Sequence, residues 1–242
     1  MAKSSGLNVW LYVDGNDLSG DANSLGAVGY ANELYDVTTL DSSATARLLG
    51  KVDGTMSVNG YFDTAAGKIH AVLTGNSGKL LTADVNVLVP LGADAGDPAY
   101  GLIAKEAEFN TDRTDAGPIT VTSSFAGNGF GPEFGEMMTA HDDTHSSAGS
   151  GTVVDSGASS TNGGAAYLHV FSLASGSVTV NLQESTSSGG SYSNFVTFST
   201  VAAAAAPTAE RVTMSGTVQR YIKVTTTGTF SNAVIAVGFA RL

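Results

Sequence analysis

The residues best suited to chemistry fall in one short run, His141-Asp142-Asp143-Thr144-His145. Two imidazoles four apart with carboxylates between them could ligate a divalent metal, and on a helix they would share a face. The run has no apolar periodicity and opens a Ser/Gly-rich stretch, so it reads better as a solvated connection than as a metal site. A second candidate is Gly127-Asn128-Gly129-Phe130-Gly131-Pro132-Glu133-Phe134-Gly135, whose glycines imitate a phosphate loop. Such a loop needs a helix start directly after it, with backbone amides aimed at the anion. Glu133 and Glu136 would repel a phosphate, and a mobile connection is the better reading. His70 and His169 have no G-x-S-x-G nucleophile to serve. Paired carboxylates need an enclosed pocket for acid–base work, whereas Asp14–Asp21 and Asp94–Asp97 read as solvated loops. Trp10 with Tyr12, and Tyr192 with Phe195 and Phe198, could stack on sugars, but at strand spacing such aromatics more often fill a core. No catalytic, cofactor-binding or metal-ligating residue is assigned, no cofactor is expected, and the chain is read as a non-enzyme.

The balance of residue types narrows what remains. The 242 residues suffice for one large domain or two small ones, each able to bury a core. Charged residues are only 14%, against the usual quarter, and Gly is 30 of the 242, nearly twice its ordinary share. Low charge with abundant Gly, Ser, Thr and Val describes short strands joined by tight turns, and argues against a helical bundle or coiled coil. The absence of Cys removes disulfides, thiolate nucleophiles and Cys-based metal sites. At a net charge of −11 the chain is a poor candidate for wrapping nucleic acid, because phosphate contacts need Lys and Arg. Nucleic acid that slides past without sticking is compatible with it. The opening MAKSSGLNVWLYVDG has no apolar stretch of signal-peptide length, and no run is long enough to span a bilayer, so no membrane partner is expected.

Positioning falls to strands. Residues 1–140 carry 7 basic and 17 acidic side chains, whereas residues 141–242 carry 4 and 5. Between the halves, residues 141–164 are rich in Ser, Gly and Thr and read as a flexible linker with one strand candidate, Thr152–Asp155. This divides the chain into a domain over 1–140, a linker over 141–164, and a second domain over 165–242. In the first half, strands are expected over Val9–Val13, Leu34–Leu40, Ala44–Leu49, Gly54–Phe62, Leu81–Val89, Ile103–Phe109 and Ile119–Phe125. One helix is expected over Asp63–Thr74, capped by Asp63 and ended by Gly75. The second half offers six strands: Ala165–Ser172, Gly176–Glu184, Tyr192–Thr200, Glu210–Ser215, Thr217–Thr226 and Asn232–Arg241. Val178, Val180 and Leu182 alternate with Thr179, Asn181 and Gln183, a period of two that buries one face. Such spacing suggests a small β-sandwich. Ala202–Ala206, ending at Pro207, reads as a loop.

The order of these pieces resembles the major tail tube proteins of long-tailed, non-contractile (siphovirus-type) bacteriophages. NVWLYVDGNDLSG is followed by YANELYDVTTLDSSATARLLGKVDGTMSVNGYFD, a short helix TAAGKIHAVLTG, then LLTADVNVLVP and DPAYGLIAKEAEFNTDRTDAGPITVTSSFAGNG. The resemblance covers roughly residues 7–130 and rests on pattern more than on fixed residues. GGAAYLHVFSLASGSVTVNLQEST and ERVTMSGTVQRYIKVTTTGTFSNAVIAVGFARL are similar to the small β-sandwich appendages such proteins carry on the tube exterior.

The resemblance implies a mainly β fold: a tail-tube sandwich or half-barrel flanked by one helix, followed by a small all-β sandwich. It implies homo-hexameric rings stacked into a hollow tube that conducts DNA without binding it specifically. Tip or initiator, terminator and tape-measure proteins are the implied partners, and the second domain either makes weak cell-surface glycan contact or merely coats the tube. The implied place is the virion tail, after assembly in the host cytoplasm. Asp14–Gly29 and Leu91–Asp97 are Gly-punctuated stretches that read equally as arms that reach the next ring and as ordinary surface loops. The alternatives from other classes are a carbohydrate-binding or adhesion module and a capsid decoration protein.

Overall fold

The computed structural model describes residues 8–242 except Ala27, Asn76 and Thr114. The reading that no secretory signal is present falls partly on residues 1–7, outside the described residues. The first half supplies β1 (Tyr12–Val13), β2 (Asn16–Asp17), β3 (Ala22–Leu25), β4 (Gly29–Asp36) and β5 (Arg47–Tyr61), then helix α1 (Ile69–Thr74). It continues with β6 (Val85–Pro90), β7 (Pro98–Arg113) and β8 (Ile119–Gly127). After these come β9 (Glu133–Met137), β10 (Asp143–His145), β11 (Gly149–Asp155), β12 (Gly164–Ser185), β13 (Ser193–Thr197), β14 (Val201–Ala202), β15 (Thr208–Met214) and β16 (Tyr221–Arg241). The protein is mainly β, and all its paired strands are antiparallel and belong to one connected sheet.

The first core follows from alternation. In β5, Met56 and Val58 turn inward, while in β6 both faces are covered. Val85, Val87 and Val89 of β6 join Leu11, Leu102, Val121 and Phe125 in one buried cluster. Leu88, on the opposite face, joins a different cluster with Tyr12, Ala99, Met137, Tyr167 and Ala236. Helix α1 closes the first core by burying Ile69 and Leu73.

The second core is built by folding one long antiparallel strand pair over itself. β12 and β16 pair along nearly their whole length, from Gly164 opposite Arg241 to Ser185 opposite Tyr221. At about 3.3 Å per residue, Leu168 and Leu182 on a straight strand would stand about 46 Å apart. They lie in the same buried cluster, so the strand pair is creased. The crease falls near the register shift between Val170 and Ser172 and at Gly176, whose φ of 79° suits glycine alone. A Cβ there would stand 2.0 Å from Thr229 O. The two ends of β16 are clasped by Arg241, whose Nη1 donates to Val218 O (3.0 Å) and Nη2 to Gln219 O (2.7 Å).

β9 joins the halves, pairing β7 on one side and β16 on the other. Gly101 on β7 leaves room for the ring of Tyr167: a Cβ there would meet it at 2.3 Å.

Four expectations change. The helix is confined to Ile69–Thr74, because Asp63 Oδ1 instead accepts from Ala65 N at 2.8 Å and Gly67 then takes a φ of 75°. Its free end is met by Asp21, which accepts from Ile69 N at 3.0 Å, and Gly75 ends it as expected. The linker stretch 141–164 is not free chain, since β10 and β11 within it both pair β16. Ala165–Ser172 with Gly176–Glu184, and Thr217–Thr226 with Asn232–Arg241, are continuous as β12 and β16, because cross-strand hydrogen bonds carry each pair of segments through the crease. Finally, Ala202–Ala206 contains a 3-10 turn, Ala203–Ala205.

Candidate assembly interface

β4 and β5 form a hairpin that projects from the body. β5 pairs β8 only over Thr55–Tyr61, and beyond that point the sheet is two strands wide. Every residue from Tyr30 to Leu49 is exposed. A lone two-stranded hairpin is at best marginal in water. Its sequence is nevertheless apolar on both faces. Leu34 stands opposite Leu49, and next to them Tyr35 stands opposite Leu48, so the two pairs leave opposite faces. Tyr30, Val37, Leu40 and Val52 add to the exposed apolar surface, with Leu49 at 65% exposure. Full burial of one such side chain is worth about 1.5–3 kcal/mol. Contiguous exposure on this scale marks an interaction surface. The outer edge of β4 pairs nothing among the described residues, leaving a row of open N–H and C=O groups.

The hairpin is anchored tightly at its base. A Cβ on Gly54 would stand 2.7 Å from Pro132 Cδ, and one on Gly131 2.5 Å from the Tyr30 ring. The Gly-punctuated stretches pack against the subunit's own body. Asp14–Gly29 contains β2 and β3 with Leu18 fully buried, and Leu91–Asp97 is tied down by Gly96 N to Met137 O at 2.7 Å. The projecting element is the one the sequence reads as ordinary strands. The signal available was the run of apolar residues on both parities of Leu34–Leu40 and Leu48–Val52, which a half-buried strand would not need.

The residues singled out for chemistry scatter. His145 turns to Asp143, with Nε2 3.2 Å from Oδ2, while His141 faces Asp142 and Asp17. Gly127–Gly135 runs from the end of β8 into strand β9 and not into a helix, and its two ends are held in the sheet. His70 packs between Phe62 and Phe109. His169 is fully buried, its Nδ1 accepting from Gly15 N at 3.2 Å, and burial pushes its pKa down to about 3. Phe198 is core, Phe195 packs edge-on against Phe239, and Tyr192 lies under Lys223, so these three present no common platform. Unannounced by the sequence is a buried ion pair between the halves. Arg211 Nη2 and Nε donate to Glu133 at 2.5 and 3.0 Å, Tyr167 donates to the same carboxylate, and Phe130 lies 3.8 Å under the guanidinium.

The fold and its hairpin define a mainly β, antiparallel protein with a surface suited to association. No family model matches the chain, and no curated protein matches it. Among solved structures it is similar to the tail of an empty gene transfer agent particle with C6 symmetry, at 18% identity and a TM-score of 0.39 over 55% of this chain and 98% of that one. It is also similar to a sheath–tube complex of an extracellular contractile injection system in the extended state, at 12% identity and 0.37 over 52% and 88%. A third similarity, at 11% identity and 0.36 over 96% and 99%, is to the SPP1 Dit protein, described as a paradigm of the hub adsorption apparatus in phages infecting Gram-positive bacteria. Likenesses this faint transfer no function by themselves.

Proposed function

We infer that this chain is a structural subunit of a siphovirus-type phage tail, assembling with copies of itself into stacked hexameric rings that form a hollow tube. The observation that carries the reading is the β4–β5 hairpin. It is apolar on both faces, two strands wide and open at its outer edge. A hairpin of that kind needs cover on two sides, which a neighbour in the ring and a subunit of the next ring supply together. A closed head-to-tail ring also pairs the open sheet edges of every copy. The acidic first half suits a bore past which DNA slides without binding. The second half then lies on the tube exterior, and the activity is assembly and passive conduction without catalysis. Other tail proteins are the further partners, and the virion tail is the place of action.

Negative-stain electron microscopy of the purified chain, fresh and after concentration, tests this. Rings or tubes with outward knobs are the expected result. A chain that stays monomeric at high concentration and also fails to extend pre-formed tail tips overturns the reading.

A further inference from the structure

We propose that Asp17, His141 and Asp142 hold a divalent transition-metal cation. Their ligand-capable atoms all lie within 4.8 Å of one another. Two separate parts of the chain bring them together. Asp17 sits on β2 directly across from Tyr12, so the two side chains leave the same face of the hairpin. His141 is seated by its own N–H, which donates to Ala93 O at 2.8 Å. Asp142 follows with its Oδ1 3.1 Å from His141 Nδ1.

Among the described residues, each of the three side chains keeps an atom without a hydrogen-bond partner. Both hydrogen bonds to the Asp17 carboxylate, from Ser19 N (2.9 Å) and Ser19 Oγ (2.5 Å), go to Oδ1, which leaves Oδ2 free. His141 Nδ1 is buried and lies out of line for a hydrogen bond with Asp142, so it has no partner. Neither Asp17 nor Asp142 is paired with Lys or Arg among the described residues.

A second observation points to the same place. Tyr12 has no exposed surface, and its hydroxyl has no hydrogen-bond partner among the described residues. Such a group costs stability and calls for an explanation. The Tyr12 ring stands edge-on to His141, with centroids 6.3 Å apart. A cation with three protein ligands keeps an open position for water, and that water gives the Tyr12 hydroxyl its missing partner. One imidazole and two carboxylates form a borderline set that suits Zn²⁺ or Mn²⁺, whereas Ca²⁺ prefers six or more oxygens. The bound ion would staple the β1–β2 hairpin to the segment leading into β10, joining the two halves.

Trp10 reports on the site. It is the single Trp of the chain, and its ring stands 4.4 Å from that of His141, edge-on. The experiment uses untagged full-length protein stripped with a chelator and titrated with ZnCl2, read by Trp10 fluorescence and by calorimetry. The expected result is saturation at one ion per chain with a rise in Tm, and an affinity weakened at least about tenfold in both D17N and H141Q. Binding should survive H145A, which separates this site from a His141/His145 pair, and CaCl2 should not reproduce the fluorescence change. Absence of saturable Zn²⁺ binding overturns the proposal, as does binding unchanged in D17N, whose near-isosteric substitution keeps the fold. Loss of binding in H145A alone overturns it too.

Discussion

His169 and Glu133 show how single residues tie the molecule together across long stretches of chain. His169 accepts a hydrogen bond from Gly15 N only while neutral, and burial holds its pKa near about 3 against an ordinary 6.5. The unfolded chain therefore takes up a proton as the pH falls below 6.5, and the folded chain does not. Stability attributable to His169 is full above 6.5 and is lost progressively down to about 3, at a slope of at most about 1.4 kcal/mol per pH unit. Burial raises the carboxyls of Asp14 and Glu106, which contribute the opposite slope in acid, so the comparison must be made against a variant. Wild type is expected to lose stability relative to H169Q between pH 6.5 and 4.5 in urea titrations, and parallel curves would refute it. Glu133 carries a second prediction. Truncating it leaves the Arg211 guanidinium and the Tyr167 hydroxyl without their shared partner, and E133A should cost about 3–5 kcal/mol in chemical denaturation. A loss below about 1 kcal/mol, the range of surface pairs, would mean the pair is effectively solvated. Neither role was legible in the sequence, because the partners lie 154 and 78 positions apart.

At the scale of elements, the β4–β5 hairpin and the creased β12–β16 strand pair make opposite demands on their sequences. The projecting hairpin buries almost nothing within its own chain, so replacing Leu34 and Leu49 together with Ser should leave the Tm within the small range of surface changes, about 0.5 kcal/mol each. The same variant should fail to form rings or tubes under conditions where wild type does. Unimpaired assembly of L34S/L49S would remove the hairpin from the interface. The crease behaves differently. G176A forces a Cβ against Thr229 O in a backbone conformation that L side chains avoid, and should destabilise by about 2 kcal/mol or more, read from the urea midpoint. The strand alternation of Val178, Val180 and Leu182 was legible because a period of two buries one face. Continuity through the crease was not, because Ala174-Ser175-Gly176 has the composition of a turn whether the chain reverses or merely bends.

For the whole molecule, charge and openness matter together. The net −10 of residues 1–140 should keep the chain from retarding duplex DNA in gels even at low salt. Reversing exposed carboxylates of that half, such as Glu108 and Asp112, to Lys should produce retardation, and in a tail it should slow DNA ejection. Unchanged ejection would remove the electrostatic account of the bore. The two cores are welded by β9, whose pairing with β7 and β16 makes one continuous sheet of both halves. A third buried cluster, with Tyr12, Leu88, Met137, Tyr167 and Ala236, fills the seam.

What residue types and their periods determine locally is readable without coordinates: a mainly β chain, one short helix ended by Gly75, inward-facing Met56, Val58, Val178 and Val180, and a net negative charge. These follow from side-chain polarity and backbone preference, which act over a few residues. Only the tertiary structure decided that β10 and β11 both pair β16, that β12 and β16 fold back on themselves, and that Asp17 meets His141 and Asp142. It also decided that the projecting element is β4–β5 and not the Gly-punctuated loops. Each of these depends on which distant strand offers its free hydrogen-bonding edge and its apolar face, and composition along the chain does not encode that choice.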